Sequence, residues 1–83
     1  MSYEKVAEAK KRLVIGAKQV QKAMKDGEVQ EVVVAENAER RVTDDILLTA
    51  DQLNVPVVFV DSMKQLGKAS GIEVGAATVA IKK

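Results

Sequence analysis

The stretch Leu13 to Ala35, LVIGAKQVQKAMKDGEVQEVVVA, decides the fold class. Leu13-Val14-Ile15 is a brief β-branched run closed by Gly16, and Ala17, Val20, Ala23 and Met24 then recur at helical spacing until Gly27 supplies a left-handed stop. Glu31 to Ala35 follows as a continuous apolar run of strand length, which suits a central strand covered on both faces. A strand, a helix and a second strand within this span announce an α/β unit.

Outward from this unit the alternation continues. On the N-terminal side Tyr3 to Arg12 carries Val6, Ala7 and Ala9 among charges, with Ser2 placed to cap it, and is read as a short first helix. On the C-terminal side a polar stretch, Glu36 to Arg41, leads to Thr43. Thr43 is the expected cap of a third helix, with Asp44 and Asp45 in its first turn and Ile46, Leu47, Ala50 and Leu53 as its buried stripe. Asn54 and Pro56 end that helix, and Val57-Val58-Phe59-Val60 reads as another buried strand. Ser62 and Gln65 have capping-box spacing for a fourth helix that stops at Gly71, and Ala76 to Ile81 is the last strand. The expected architecture is an α/β fold with four helices on both faces of one sheet of about four strands.

The 83 residues suit one domain spanning 1–83. There is no cysteine and no histidine, which excludes disulfides, thiolate or imidazole metal sites, a cysteine nucleophile and a histidine base. Asp44 and Asp45 are accounted for by helix capping and nothing else assembles an acid–base pair, so no enzyme, catalytic residue, metal or cofactor is expected. No apolar run approaches the roughly 18 residues of a membrane span, and MSYEKVAEAKKRLV lacks the apolar core of a secretory signal. A cytoplasmic protein without a membrane partner, and a monomer, is the expectation. Tyr3 and Phe59 are the only aromatic residues, too few to stack single-stranded nucleic acid.

The formal net charge of +1 conceals a segregation. Residues 1–25 hold seven bases and two acids, residues 26–61 two bases and nine acids, and residues 62–83 four bases and one acid. The segments carry +5, −7 and +3, so a two-faced molecule follows if both ends lie together, with the acidic middle turned away from a basic face. Within the second helix Lys18, Lys22 and Lys25 form one stripe opposite the apolar one. Such a stripe is commonly just a solvated face. Its position adds to it, because Lys18 and Gln19 stand in the first turn after Gly16, where an anion is favoured and where both side chains can donate to guanine O6 and N7.

Gly67, Gly71 and Gly75 recur every four residues, but without the apolar context of a membrane dimer motif. The surroundings of Gly67-Lys68-Ala69 also lack the preceding Gly and following Ser or Thr of a phosphate loop. Between two of these glycines lie Ile72, Glu73 and Val74. The two aliphatic side chains either tuck into the core or present an apolar contact surface for a ligand such as an extruded base.

The blocks GAKQVQKAMKDGEVQEVVVAENA and LNVPVVFVDSMKQLGKASGIEVGAATVAI, and most specifically LGKASGIEVGAA from Leu66 to Ala77, resemble the kink-turn-binding ribosomal protein family of the L-seven-Ae type, in its short bacterial form. The resemblance runs from about Leu13 to Ile81. It implies a three-layer α-β-α sandwich around a mixed four-stranded sheet, and binding of kink-turn RNA, a duplex sharply bent at a bulge beside tandem sheared G·A pairs. The family's Gly-x-Asn-Glu-x-x-Lys motif falls on Gly16, Lys18, Gln19 and Lys22, so Lys and Gln stand in place of Asn and Glu, as in bacterial relatives. Its apolar loop against a flipped-out nucleotide corresponds to Ile72, Glu73 and Val74, and Glu39 falls where another bulge contact is made. The implied partner is structured RNA, ribosomal or riboswitch, with the ribosome as a further place of association. The competing expectation is a ribosome-associated protein-interaction module using the acidic segment Glu28 to Asp61.

Overall fold

A computed structural model describes residues 2–83, Ser2 by its backbone alone. The expected cap by the Ser2 side chain therefore lies outside the described residues. The elements in order are α1 (Ser2–Glu8), a 3-10 turn (Lys10–Arg12), β1 (Leu13–Ile15), α2 (Ala17–Lys25), β2 (Val29–Ala35), α3 (Arg40–Gln52), β3 (Val57–Val60), α4 (Met63–Ala69) and β4 (Thr78–Lys82). The strands form one mixed sheet in the order β1-β4-β2-β3, with β4 antiparallel to both β1 and β2 and β3 parallel to β2.

Helices cover both faces, giving the three-layer α-β-α sandwich. The run at Val32 to Ala35 is apolar throughout because successive side chains enter opposite cores. Val33 and Ala35 pack with Val6, Leu66, Val79 and Ile81 under α1 and α4. Val32 and Val34 pack with Val20, Met24, Ile46, Ala50 and Ala80 under α2 and α3. Burying each such valine contributes about 1.5–3 kcal/mol, so this strand anchors both layers.

Four features depart from expectation. The first helix ends at Glu8, and the rest of the segment is a 3-10 turn whose three cations bury nothing and so give an α-helix no face to pack. Helix α3 begins at Arg40 with Glu39 as its cap, three residues before Thr43. Thr43 instead lies buried in register with Ile46 and Ala50, its hydroxyl donating to the Arg40 carbonyl at 3.2 Å. Asp44 and Asp45 thus sit in the second turn, where the macrodipole has little effect, and capping does not account for them. Leu53 is the C-cap rather than part of the stripe and is 44% exposed. Strand β3 was expected to be a buried strand, but it is an edge strand hydrogen-bonded only to β2; of its four residues Val60 alone is buried, and Phe59 is 51% exposed.

Two boundaries shift by two residues, β2 starting at Val29 and β4 at Thr78. Two local signals hold. The Ser62 hydroxyl accepts from the Gln65 N–H at the start of α4, and Gly27 adopts φ 72° after α2.

The strand directions create one functional consequence. Ile15 pairs with Val79, Val34 with both Thr78 and Phe59, and Ala35 with Val60. The carboxyl ends of β1, β2 and β3 and the amino end of β4 therefore share one rim of the sheet, and α2, α3 and α4 all start there. Leu13 opposite Ile81, and Val29 opposite Lys82, mark the other end.

Candidate nucleic-acid interface

Gly16 stands where β1 turns into α2. Its φ of 102° and ψ of 141° belong to a region that residues with a Cβ rarely enter, and no atom lies within 4 Å of where a Cβ would be. The backbone is thus bare at this point and open to close approach. The Gly16 N–H donates to the Thr78 carbonyl at 3.1 Å, which ties the start of α2 to the start of β4. The first helical bond of α2 runs from Val20 N–H to the Gly16 carbonyl, so the N–H groups of Ala17, Lys18 and Gln19 have no partner within the helix.

Val20, Ala23 and Met24 bury the inner face of α2, which leaves Lys18, Gln19 and Lys22 exposed. Gln19 and Lys22 line a shallow hollow of about 290 Å³ together with Val14, Asp26, Glu28 and Lys82. Among the described residues, none of Lys18, Lys22 and Lys25 is ion-paired.

Glu39 comes to the same rim as the N-cap of α3. It caps with its backbone carbonyl, which accepts from Val42 and Thr43, while its side chain makes no cap bond and is exposed. Arg40 and Arg41, also exposed, follow it.

The loop after α4 runs back along that helix to the rim. Gly71, at φ 85°, reverses the chain, and the Ile72 N–H donates to the Gly67 carbonyl. A Cβ on Gly67 would stand 2.0 Å from the Val74 carbonyl oxygen, so only a glycine allows the loop to lie this close. The Ala76 N–H closes the approach on the Met63 carbonyl at 3.0 Å. The loop's two aliphatic residues separate: Ile72 is half-buried against the α1 and α4 core, whereas Val74 is 70% exposed and Glu73 is exposed beside it. The core reading fits Ile72, and an outward contact remains open to Val74.

Asn37 was read only as part of a polar connection, yet its Oδ1 accepts from the Met63 N–H at 2.8 Å and fixes the start of α4 against the loop before α3. An asparagine in a short connection is a turn-forming residue, but its distant partner has no local signature.

The charge distribution corrects the expected two-faced arrangement. Glu36, Glu39 and Asp61 follow the carboxyl ends of β2 and β3 and therefore sit at the rim, not turned away from it. The basic chain ends do lie together, but at the opposite end of the sheet, because Leu13 pairs with Ile81. Among the described residues no cluster of His, Cys, Asp or Glu could hold a metal ion, and no helix is long and apolar enough to cross a membrane.

Four helices around a mixed sheet, three of them starting at a rim with a bare glycine, unpaired lysines and a returning glycine loop, define an α-β-α domain with an open cationic binding rim. The chain belongs to the ribosomal protein L7Ae/L30e/S12e/Gadd45 family, whose model matches residues 1–83. It is 57% identical over 83 residues to RNA-binding protein BH0128 of Halalkalibacterium halodurans, covering 100% of both chains. It is 56% identical over 81 residues to RNA-binding protein YbxF of Geobacillus stearothermophilus, covering 98% of each. The solved structure of a Giardia lamblia 15.5kD RNA binding protein matches with a TM-score of 0.94 over 99% of this chain and 71% of that one, at 24% identity, which shows the shared fold.

Proposed function

We propose that the protein binds structured RNA in the cytoplasm and stabilises kink-turns, in ribosomal or riboswitch RNA, through the rim built on Gly16, Lys18, Gln19, Lys22, Glu39, Glu73 and Val74, with Ile72 holding the loop from beneath. The observation that carries this reading is the Gly16–Thr78 hydrogen bond, which joins the unpaired lysine helix to the strand fed by the Val74 loop. Family membership and the RNA-binding relatives support it.

In this mechanism Lys18 and Gln19 donate to guanine O6 and N7 at the G·A pairs, and the bare backbone at Gly16 lets the bases come close. Lys22, one turn further along, neutralises phosphate where the bent strands converge. The exposed Val74 packs against a nucleotide extruded at the bulge, and Glu39 accepts a hydrogen bond from it. Glu36 and Asp61 at the rim oppose nonspecific approach of phosphate, which leaves base contacts to decide affinity. Because these contacts exist only in the bent RNA, binding shifts a pre-existing equilibrium toward the kink.

The test is a titration of the protein against a kink-turn RNA and against the same RNA with its G·A pairs replaced by Watson–Crick pairs. A large preference for the kink-turn is expected. Equal affinity for both overturns the reading.

A further inference from the structure

The pairing of β1 with β4 assembles a cationic surface that the rim does not use. Leu13 opposite Ile81 sets the residues entering β1 beside those leaving β4, so the segment Lys10–Arg12 and the pair Lys82 and Lys83 come to the same end of the sheet. The Arg12 guanidinium donates to the Lys82 carbonyl at 3.3 Å, fastening the two segments together. All five residues are exposed. Glu28 meets Lys82 at 3.7 Å, and its carbonyl accepts the Lys83 N–H. Glu8 shares a hollow with Arg12, and the nearby Glu31 is taken by Lys5 at 3.3 Å. Among the described residues Lys82 is therefore the only one of the five that is ion-paired. Four unpaired cations gather at one corner of a chain whose net charge is +1.

From this we infer that the corner is a second RNA-binding surface, which takes the phosphate backbone of a duplex without reading its sequence. The inference shares the RNA-binding reading of the rim and extends it to a separate surface. β4, five residues of about 3.3 Å rise each, runs from the Gly16–Thr78 end to this corner, and the two surfaces adjoin along α2, where Lys82 lines the hollow that holds Gln19 and Lys22. The support under the cations is ordered. The Arg12 N–H closes the 3-10 turn on the Ala9 carbonyl at 2.7 Å, and the Lys10 stem lies across Gly71, with Cε 3.1 Å from where a Cβ would be. Cations held in place without base-reading amides or aromatic platforms match a phosphate backbone, which gives position and affinity but no sequence information. Of the large exposed apolar side chains among the described residues, Leu53 shares a hollow with Lys83, and a single half-exposed leucine gives the corner too little apolar face to insert into a lipid surface.

Binding and specificity are thereby divided. The rim, where Glu36, Glu39 and Asp61 sit among the lysines, selects the kinked site, and the opposite corner supplies charge attraction to a second stretch of RNA. The protein would then clamp a kink-turn to a neighbouring duplex.

The experiment compares the wild type with a Lys11→Glu/Lys83→Glu double variant and a Lys18→Ala/Lys22→Ala double variant. Each binds a plain 24-base-pair RNA duplex, an isolated short kink-turn and phosphatidylserine vesicles over a salt series, with urea midpoints confirming the fold. Among the described residues neither the Lys11 nor the Lys83 side chain makes a hydrogen bond or an ion pair. The corner variant is expected to lose about tenfold or more in affinity for the plain duplex and to show a shallower salt slope, with kink-turn affinity kept within about twofold. The rim variant is expected to do the reverse. Unchanged duplex binding by the corner variant overturns the proposal, as does an equal loss of both RNAs, which would put both on one surface. Wild-type binding to the vesicles in preference to the duplex overturns the choice of RNA. If the kink-turn is bound no better than its Watson–Crick control while the corner variant still loses the duplex, the rim reading fails and the corner stands.

Discussion

The amide of Gly16 donates to the carbonyl of Thr78 at 3.1 Å, and this bond holds the two halves of the proposed site, the start of α2 and the loop entering β4, at a fixed spacing. The bond requires Gly16 to keep φ at 102°. Gly16→Ala meets no steric obstacle in the surrounding structure, so its whole effect is conformational. We expect a loss of about 1–3 kcal/mol of stability, read from urea unfolding. Kink-turn affinity should fall with it, since the backbone at this point would no longer be bare.

The other member of that bond carries a defect. Thr78 is fully buried, and its hydroxyl oxygen has no hydrogen-bond partner within the protein. Thr78→Val keeps the branched shape and the backbone carbonyl that Gly16 needs while removing the unpaired group. The variant is expected to be as stable as the wild type or more stable by about 1 kcal/mol, measured by urea midpoint at constant slope. A marked destabilisation would show that the hydroxyl is satisfied in solution.

The Tyr3 phenol donates to the Asp61 carboxylate and accepts from the Ser62 N–H, tying α1 to the start of α4. Desolvation, then the hydrogen bond to Asp61, raises the Tyr3 pKa above its ordinary value of 10.0. The folded state therefore holds the phenolic proton more tightly than the unfolded chain does. That contribution is complete below pH 10 and is lost as pH rises through the raised value. The difference in melting temperature between wild type and Tyr3→Phe should be constant from pH 7 to 9 and shrink above pH 10. A difference that grows with alkalinity would give the shift the opposite sign.

Lys22 is exposed and makes no ion pair among the described residues, so replacing it removes nothing the fold needs. Lys22→Ala is expected to weaken kink-turn binding by about 1–3 kcal/mol with an unchanged unfolding midpoint. Equal affinity in a folded variant would remove this helix from the site.

Much of the fold was legible because its signals are local. The glycine after α2, the Ser62–Gln65 cap and the unbroken run at Val32 to Ala35 each declare themselves within a few residues. Strand β3 misled because an apolar run reports hydrophobicity rather than position. Val57 to Val60 reads like a buried strand, but nothing local says that no strand pairs with its outer side. Thr43 misled because a threonine before two aspartates has the composition of a cap, while its register with Ile46 and Ala50 placed it inward. The site residues could be named along the chain, but their surroundings could not. A charge sum by segment identifies basic ends and an acidic middle, yet only the antiparallel pairing of β1 with β4 decides that the ends meet at the corner away from Gly16. Ile72 and Val74 have equivalent sequence surroundings, and only the packing of the loop on Gly67 turns one inward and leaves the other exposed.

In the proposed function the rim recognises the kinked form and stabilises it. Its most direct measurement is end-to-end fluorescence energy transfer in a doubly labelled RNA duplex carrying one kink-turn, titrated with protein in the absence of divalent ions, beside a control whose G·A pairs are Watson–Crick pairs. Saturating protein is expected to raise the kink-turn RNA to high transfer and to leave the control unchanged. Binding that leaves the transfer efficiency of the kink-turn RNA unchanged, or raises both RNAs alike, would contradict it.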